Sequence, residues 1–252
     1  MLLAVDVGNT NIVLGVIDGE ELVSSGRVST NIHETEDECA MKIYSFLNLH
    51  NNIQIDGAII SSVVPALVTT LKKAIYTVCK VNAIVVGPGI KTGLSIKIDD
   101  PAQLGADLVV GAVAAKEKYP QPTIIFDLGT ATTGSVLDKD GNFLGGTITT
   151  GVKTSINALS AGAALLPQID ITAPKKIIGT NSIESMQSGC VIGTACMIDG
   201  LIDKFEQELG EKATVVVTGG LGKSIVKNCS HDMIIDENLL IDGLRIIYNK
   251  NI

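Results

Sequence analysis

Residues 5 to 12 read VDVGNTNI, and residues 126 to 133 read FDLGTATT. Each phrase closes an apolar run with an Asp, sets a Gly two residues later and continues with hydroxyl and amide side chains. The flanking periodicity is that of strands, over residues 2–7, 11–17 and 22–28 around the first phrase and 123–127, 131–138 and 143–149 around the second. The following turns correspond as well, Asp18-Gly19-Glu20 in one and Lys139 to Asn142 in the other. A single D-x-G-x-T phrase predicts only a hairpin turn. Its recurrence with a matched hairpin predicts an internal duplication.

The rest of the chain fits that plan. An amphipathic stretch from Glu36 to Leu49 predicts a helix, the run IDGAIISSVVP a strand ending at Pro65, then a helix to Cys79 and a strand at 83–86. After Tyr119-Pro120-Gln121-Pro122 come three strands, a helix from about Ser155, a second helix from Ser182 to Leu209 and a strand at 214–217. The expected fold class is α/β: two domains, 1–118 and 119–252, each a mixed sheet in βββαβαβα order flanked by helices.

Composition narrows the function. With 46% hydrophobic residues, 3% aromatic and no Trp, the core must be Val, Ile, Leu and Ala, which suits strands covered by helices. A net charge of −8 argues against a nucleic-acid or anionic-membrane surface. MLLAV is too short for a signal peptide or anchor, and no later segment reaches the ~20 apolar residues of a span. A cytoplasmic protein is expected. The five cysteines include no C-x-x-C pair, and the three histidines complete no zinc spacing.

A strand-end Asp followed by Gly and small polar residues makes a hairpin whose backbone N–H groups and hydroxyls can hold phosphate oxygens. Its carboxylate can hold a cation or the cation's waters. The candidates are Asp6, Val7, Gly8, Asn9, Thr10, Asn11, Ile12 and Val13 in the first copy, with Asp6 a possible Mg²⁺ site, and Asp127, Gly129 and Thr130 in the second. Two copies facing one another would grip a polyphosphate from both sides. VTGGLGKS (217–224) is not a P-loop, because Val217 stands where that motif needs Gly. Its Gly219 and Gly220 either let a flat ring or a phosphate approach the backbone or form a plain strand-to-helix turn.

The stretch 98–118, IDDPAQLGADLVVGAVAAKEK, predicts a helix capped by Asp100, with Pro101 first and Gln103 as capping partner. Asp107 then lies inside that helix, beside Gln103, Leu104, Val110 and Gly111. A carboxylate on so apolar a stripe needs a partner, a cation or a substrate unless it turns to solvent. It is the best candidate for a general base.

Taken in order, DVGNTN, SSVVP, GAD, DLGTATT, LGG (144–146), MQSG (186–189) and TGG resemble the type III pantothenate kinases over nearly the whole chain. The resemblance implies two ribonuclease-H-like halves of the sugar kinase, actin and heat-shock ATPase superfamily around a nucleotide cleft. It implies transfer of the ATP γ-phosphate to the hydroxyl of pantothenate, the first step of coenzyme A synthesis. By motif, Asp6 to Val13 looks like the first phosphate loop, Asp127 the ligand of K⁺ or NH₄⁺, Thr130 an ATP contact and Asp107 the proton acceptor. Gly105, Ala106, Asp107 and Leu108 fall in the substrate segment, and Ser182 stands where the family has a substrate-contacting Thr. Magnesium and a homodimer, with the substrate pocket completed across its interface, are implied too.

Two positions depart from the family pattern. Leu108 replaces the Arg of G-x-D-R that meets the pantothenate carboxylate, and Ile98 replaces a Tyr that also contacts pantothenate. Losing a charge-assisted bond removes ~1.5–3 kcal/mol, roughly tenfold to a hundredfold in affinity. Alternative expectations are therefore a kinase of a related hydroxyl compound or a non-catalytic, nucleotide-binding regulatory relative. Retention of Asp6, Asp107 and Asp127 favours an enzyme.

Overall fold

A computed structural model describes residues 1–50 and 53–252. Alternating apolar residues and Gly-containing turns produce a first meander, β1 (Leu2–Val7), β2 (Asn11–Asp18) and β3 (Glu21–Ser29), followed by α1 (Glu36–Leu49), β4 (Gly57–Ser62), α2 (Pro65–Cys79) and β5 (Ala83–Val85). Its sheet has the order β3-β2-β1-β4-β5, antiparallel through the meander and parallel from β1 to β5. The start of α1 falls at Glu36 because Thr35 and Glu38 form a capping box, with the Thr35 N–H donating to Glu38 Oε2 at 2.8 Å.

The second half repeats this. It runs β6 (Thr123–Leu128), β7 (Ala131–Leu137), β8 (Phe143–Thr150), α4 (Val152–Gly162), α5 (Ser182–Gln187), a π-helical segment Ser188–Ile192, α6 (Gly193–Leu209), β9 (Thr214–Thr218), α7 (Gly222–Val226) and β10 (Ile234–Ile235). The order β8-β7-β6-β9-β10 has the same directions as the first sheet. Both meanders carry a register shift in the second strand, at Val16/Ile17 and at Val136/Leu137. They differ at the tip. Val7 pairs with Ile12 in the first hairpin and Leu128 with Thr132 in the second, so the second loop is one residue shorter.

Each sheet has its own core. Leu3, Val5, Val7 and Ile60 pack under Cys39, Ile43, Leu67 and Leu71 of α1 and α2. Ile124, Phe126 and Val217 pack with Val152, Ile156, Ala195, Ile198 and Ile202 of α4 and α6. Among the described residues, the helical run Ser182–Leu209 is long and apolar enough to cross a membrane by length and composition, more than the sequence count of apolar residues had suggested. Its stripe of Ala195, Ile198 and Ile202 lies fully buried in this core.

The structure corrects two expectations. The helix starting at Asp100 lasts only as a 3₁₀ turn, Pro101–Gln103, and a new helix α3 (Ala106–Lys118) follows after Leu104 and Gly105. Asp107 therefore lies in a first helical turn and not mid-helix. The chain also divides differently from a cut at 118/119: one compact unit comprises 1–94, 100–114 and 239–252, the other 95–99 and 115–238. The last helix, α8 (Leu239–Asn249), returns to the first sheet. Gly15 and Gly57 leave room there, since side chains at those positions would run into Ile241 and Tyr248. In the second unit, the Lys118 Nζ and the Tyr119 hydroxyl both donate to Asp236 Oδ2 at 2.7 Å, anchoring β10.

Candidate active site

The first loop hangs between β1 and β2. Its Gly8 N–H closes the turn on the Asn11 carbonyl at 3.0 Å. Thr30, just past β3, secures the loop from behind: its hydroxyl donates to the Gly8 carbonyl at 2.7 Å and its N–H to the Thr10 carbonyl at 3.0 Å. Asn9 and Thr10 are left exposed, Gly8, Asn11 and Val13 half-buried. Val7 and Ile12 point into the core, so what they can offer a ligand is backbone. Asp6 is buried at the end of β1, on the rung shared with Val13 and Ser61.

The second loop repeats the arrangement with other residues. Gly129 N–H closes on the Ala131 carbonyl at 3.0 Å, and the Thr130 carbonyl accepts from the Gly151 N–H at 3.1 Å and the Thr154 hydroxyl at 2.7 Å. Gly151 thus stands after β8 as Thr30 stands after β3. Gly129 and Thr130 are exposed and Asp127 is half-buried. The TGG turn serves this Asp. Gly219 has φ +89, and a Cβ there would lie 2.5 Å from Asp127 Oδ1 and 2.7 Å from the backbone of Leu128. Gly220 is exposed beside it. The nearby Lys223 is turned to Glu237, with Nζ 2.6 Å from Oε2.

In the first unit, Asp107 stands half-buried at the start of α3. Its Oδ1 accepts from the Leu108 N–H at 2.8 Å. Burial pushes its carboxyl above the ordinary value, against the lowering effect of that N–H and of Asp107's own. Gly105 makes the position possible: a Cβ there would come 2.5 Å from Oδ1 and 3.9 Å from Val63 Cγ1, just past β4. Ala106 and Leu108 are half-buried on either side. A carboxylate with a raised affinity for protons, held by the backbone N–H groups of Leu108 and of Asp107 itself and reachable from solvent, suits a general base.

Ser182 lies in the second unit, at the exposed first position of α5, in a cleft of about 760 Å³ lined also by Ser155, Leu159, Thr180 and Met186. Leu159 in that lining and Ile183 next to Ser182 are exposed, as are Leu165, Ile177 and Ile178 in the segment between α4 and α5, Leu165 to 92% and Ile178 to 83%. Ile98 is half-buried and lies 3.7 Å from where a Cβ on Gly145 would stand. The sequence reading missed Thr30, Gly151 and Thr154, although Thr30 and Gly151 each directly follow the third strand of a duplicated meander.

A family model for type III pantothenate kinase matches residues 2–204. The chain is 43% identical to the type III pantothenate kinase of Exiguobacterium sp., covering 100% of this chain and 99% of that one. It is also 43% identical to the type III pantothenate kinase of Halalkalibacterium halodurans, over the full length of both. Among solved structures, a Baf family protein of Campylobacter jejuni superposes with a TM-score of 0.63 at 19% identity, over 98% of each chain. The activator of 2-hydroxyisocaproyl-CoA dehydratase from Clostridium difficile, with bound ADPNP, gives 0.57 at 14%, over 99% of this chain and 94% of that one. Identities this low speak for the fold alone, which is the two-domain ribonuclease-H-like fold.

Proposed function

The chain belongs to the type III pantothenate kinases, and from that premise we propose how its residues divide the work of the reaction. The protein is a kinase that phosphorylates pantothenate with ATP and Mg²⁺ in coenzyme A biosynthesis. Phosphoryl transfer asks for positioning and charge stabilisation more than for covalent chemistry.

Asp107 is the general base that takes the proton of the acceptor hydroxyl. The observation that carries this role is a carboxylate oriented by the Leu108 N–H while burial raises its proton affinity. The loops Gly8–Asn11 and Gly129–Ala131 hold phosphate oxygens, steadied by Thr30 and by Gly151 with Thr154. Mg²⁺ is commonly held by one or two carboxylates plus substrate phosphates and keeps several waters. A buried strand-end Asp6 beside a hydroxyl without a partner, Ser61 Oγ, fits that need. The ion would neutralise charge on the transferring phosphate. Asp127, where Gly129 and Gly219 leave space that side chains would fill, is the K⁺ or NH₄⁺ ligand.

The exposed apolar side chains of α4, α5 and the segment between them support a homodimer that covers them and shares the acceptor pocket. The cytoplasm, where ATP is plentiful, is the expected compartment. Leu108 and Ile98 favour a second reading of the acceptor, a related hydroxyl compound without the carboxylate.

The test is a phosphorylation assay on purified protein with pantothenate or pantetheine, in K⁺, NH₄⁺ or Na⁺, alongside sedimentation. Phosphopantothenate formed in K⁺ but not in Na⁺, by a dimer, supports the assignments. Equal rates in all three cations remove the role of Asp127, and turnover of pantetheine alone moves the acceptor to the second reading.

A further inference from the structure

The motif SSVVP, residues 61–65, divides its labour unevenly. Ser62 makes the turn into α2: its hydroxyl donates to the Val64 carbonyl at 3.1 Å and accepts from the Val64 N–H at 3.0 Å. The Val63 N–H extends the ladder to the Val7 carbonyl at 3.0 Å, and Pro65 opens α2. Ser61 has no such task. It is 0% exposed, and its Oγ has no hydrogen-bond partner. A buried hydroxyl without a partner is costly to the fold, and its persistence calls for a reason outside the folded chain.

Position supplies the reason. Ser61 is the direct partner of Asp6 across the parallel β1–β4 ladder, so the two side chains leave the same face of the sheet. Just past the strand, Val63 Cγ1 lies 3.9 Å from where a Cβ on Gly105, two residues before Asp107, would stand. The duplication repeats the pairing in the second unit, where Thr218, 2% exposed, shares the rung of Asp127. Each half therefore sets a buried hydroxyl beside its strand-end carboxylate. A plain core position needs no hydroxyl at either rung.

We infer that Ser61 is a positioning residue for phosphoryl transfer, its hydroxyl holding a water of the magnesium ion kept beside Asp6. This rests on the assignment of Asp6 to that ion. The hydroxyl both donates and accepts, so it can meet a metal-bound water or the Asp6 carboxylate without adding charge.

The experiment compares Ser61→Ala, Ser61→Thr and Asp6→Asn by three readouts: the Mg²⁺ concentration for half-maximal rate, Mn²⁺ binding with an ATP analogue by calorimetry, and the melting temperature of protein without ligand. Ser61→Ala is expected to weaken Mn²⁺ binding and raise the Mg²⁺ requirement about three- to tenfold, the worth of one hydrogen bond. Melting without ligand should stay level or rise, because an unsatisfied polar atom is gone. Ser61→Thr keeps the hydroxyl and should restore the metal response. Wild-type metal dependence in Ser61→Ala together with a shifted Asp6→Asn overturns the role of Ser61 alone. An unshifted Asp6→Asn overturns the parent assignment. A lowered melting temperature with unchanged metal binding makes Ser61 a structural residue and also defeats the inference.

Discussion

Replacing Gly105 with Ala tests whether the position of Asp107 matters to about an ångström. The new Cβ would stand 2.5 Å from Asp107 Oδ1, whereas ordinary contact begins at 3.4 Å. The backbone at Gly105 has no positive φ, so the methyl group can be accommodated if the carboxylate retreats. The required retreat is about 0.9 Å, and misplacement of a catalytic group by that much costs on the order of a hundredfold in rate. Stability should hardly change. Strain on the Leu108 N–H bond costs about 0.5–1.5 kcal/mol, and the stiffer unfolded chain returns about 0.4–1 kcal/mol. The assay is steady-state pantothenate phosphorylation with thermal melting on the same preparation. The expected pattern is a turnover number down roughly a hundredfold, an unchanged KM for ATP and a melting temperature within a few degrees of wild type. Wild-type turnover in the variant would refute the placement of Asp107 as the base.

Three further outcomes are expected. Asp107→Asn should abolish turnover yet melt higher than wild type at neutral pH. The folded carboxyl holds its proton more tightly than the unfolded one, so wild type loses stability as pH rises above about 4 and the variant does not; melting curves at several pH values check this. Gly219→Ala puts a side chain at φ +89 against the Leu128 backbone, which cannot give way. It should cost at least ~2 kcal/mol and weaken ATP binding, read by denaturant unfolding and nucleotide titration. Asp236→Asn loosens the bonds from Lys118 and Tyr119, at about 1.5–3 kcal/mol. Burial works against ionisation of Asp236, but those donors outweigh it and lower its pKa, so its contribution is present above the ordinary carboxylate range and lost on acidification; the gap between variant and wild type should close at low pH.

Much of this was readable in the sequence because it depends on local chemistry. The duplicated meanders announce themselves through period-two alternation and Gly turns, and α1 covers the amphipathic stretch from Glu36 to Leu49. The loop residues at Asp6 and Asp127 follow from the same phrase. What escaped was the work of long-range contact. Asp100, Pro101 and Gln103 look like the start of a full helix, and they do start a turn, but Gly105 then breaks the chain so that Asp107 can fold its carboxylate back. The apolar stripe of α8 says that it is buried, but not that it crosses back to the first sheet. Gly219 shows its purpose only once β9 lies beside β6 and its missing side chain faces Asp127. Ser61 looks like any strand serine until its rung partner is known.

The return of α8 sets an order on the making of the protein. The strands and helices of the first unit leave the ribosome early, yet the face of β1 and β4 that α8 covers stays open until residues 239–252 have been synthesised. The second unit, by contrast, lies in one stretch from 115 to 238 apart from the short segment 95–99. The half that begins first therefore finishes last. A ribosome that stops after residue 238 would release a chain with all of its second unit and a first unit exposing Leu2, Ala4 and Ile59, a form that proteases and chaperones could tell apart from the finished enzyme.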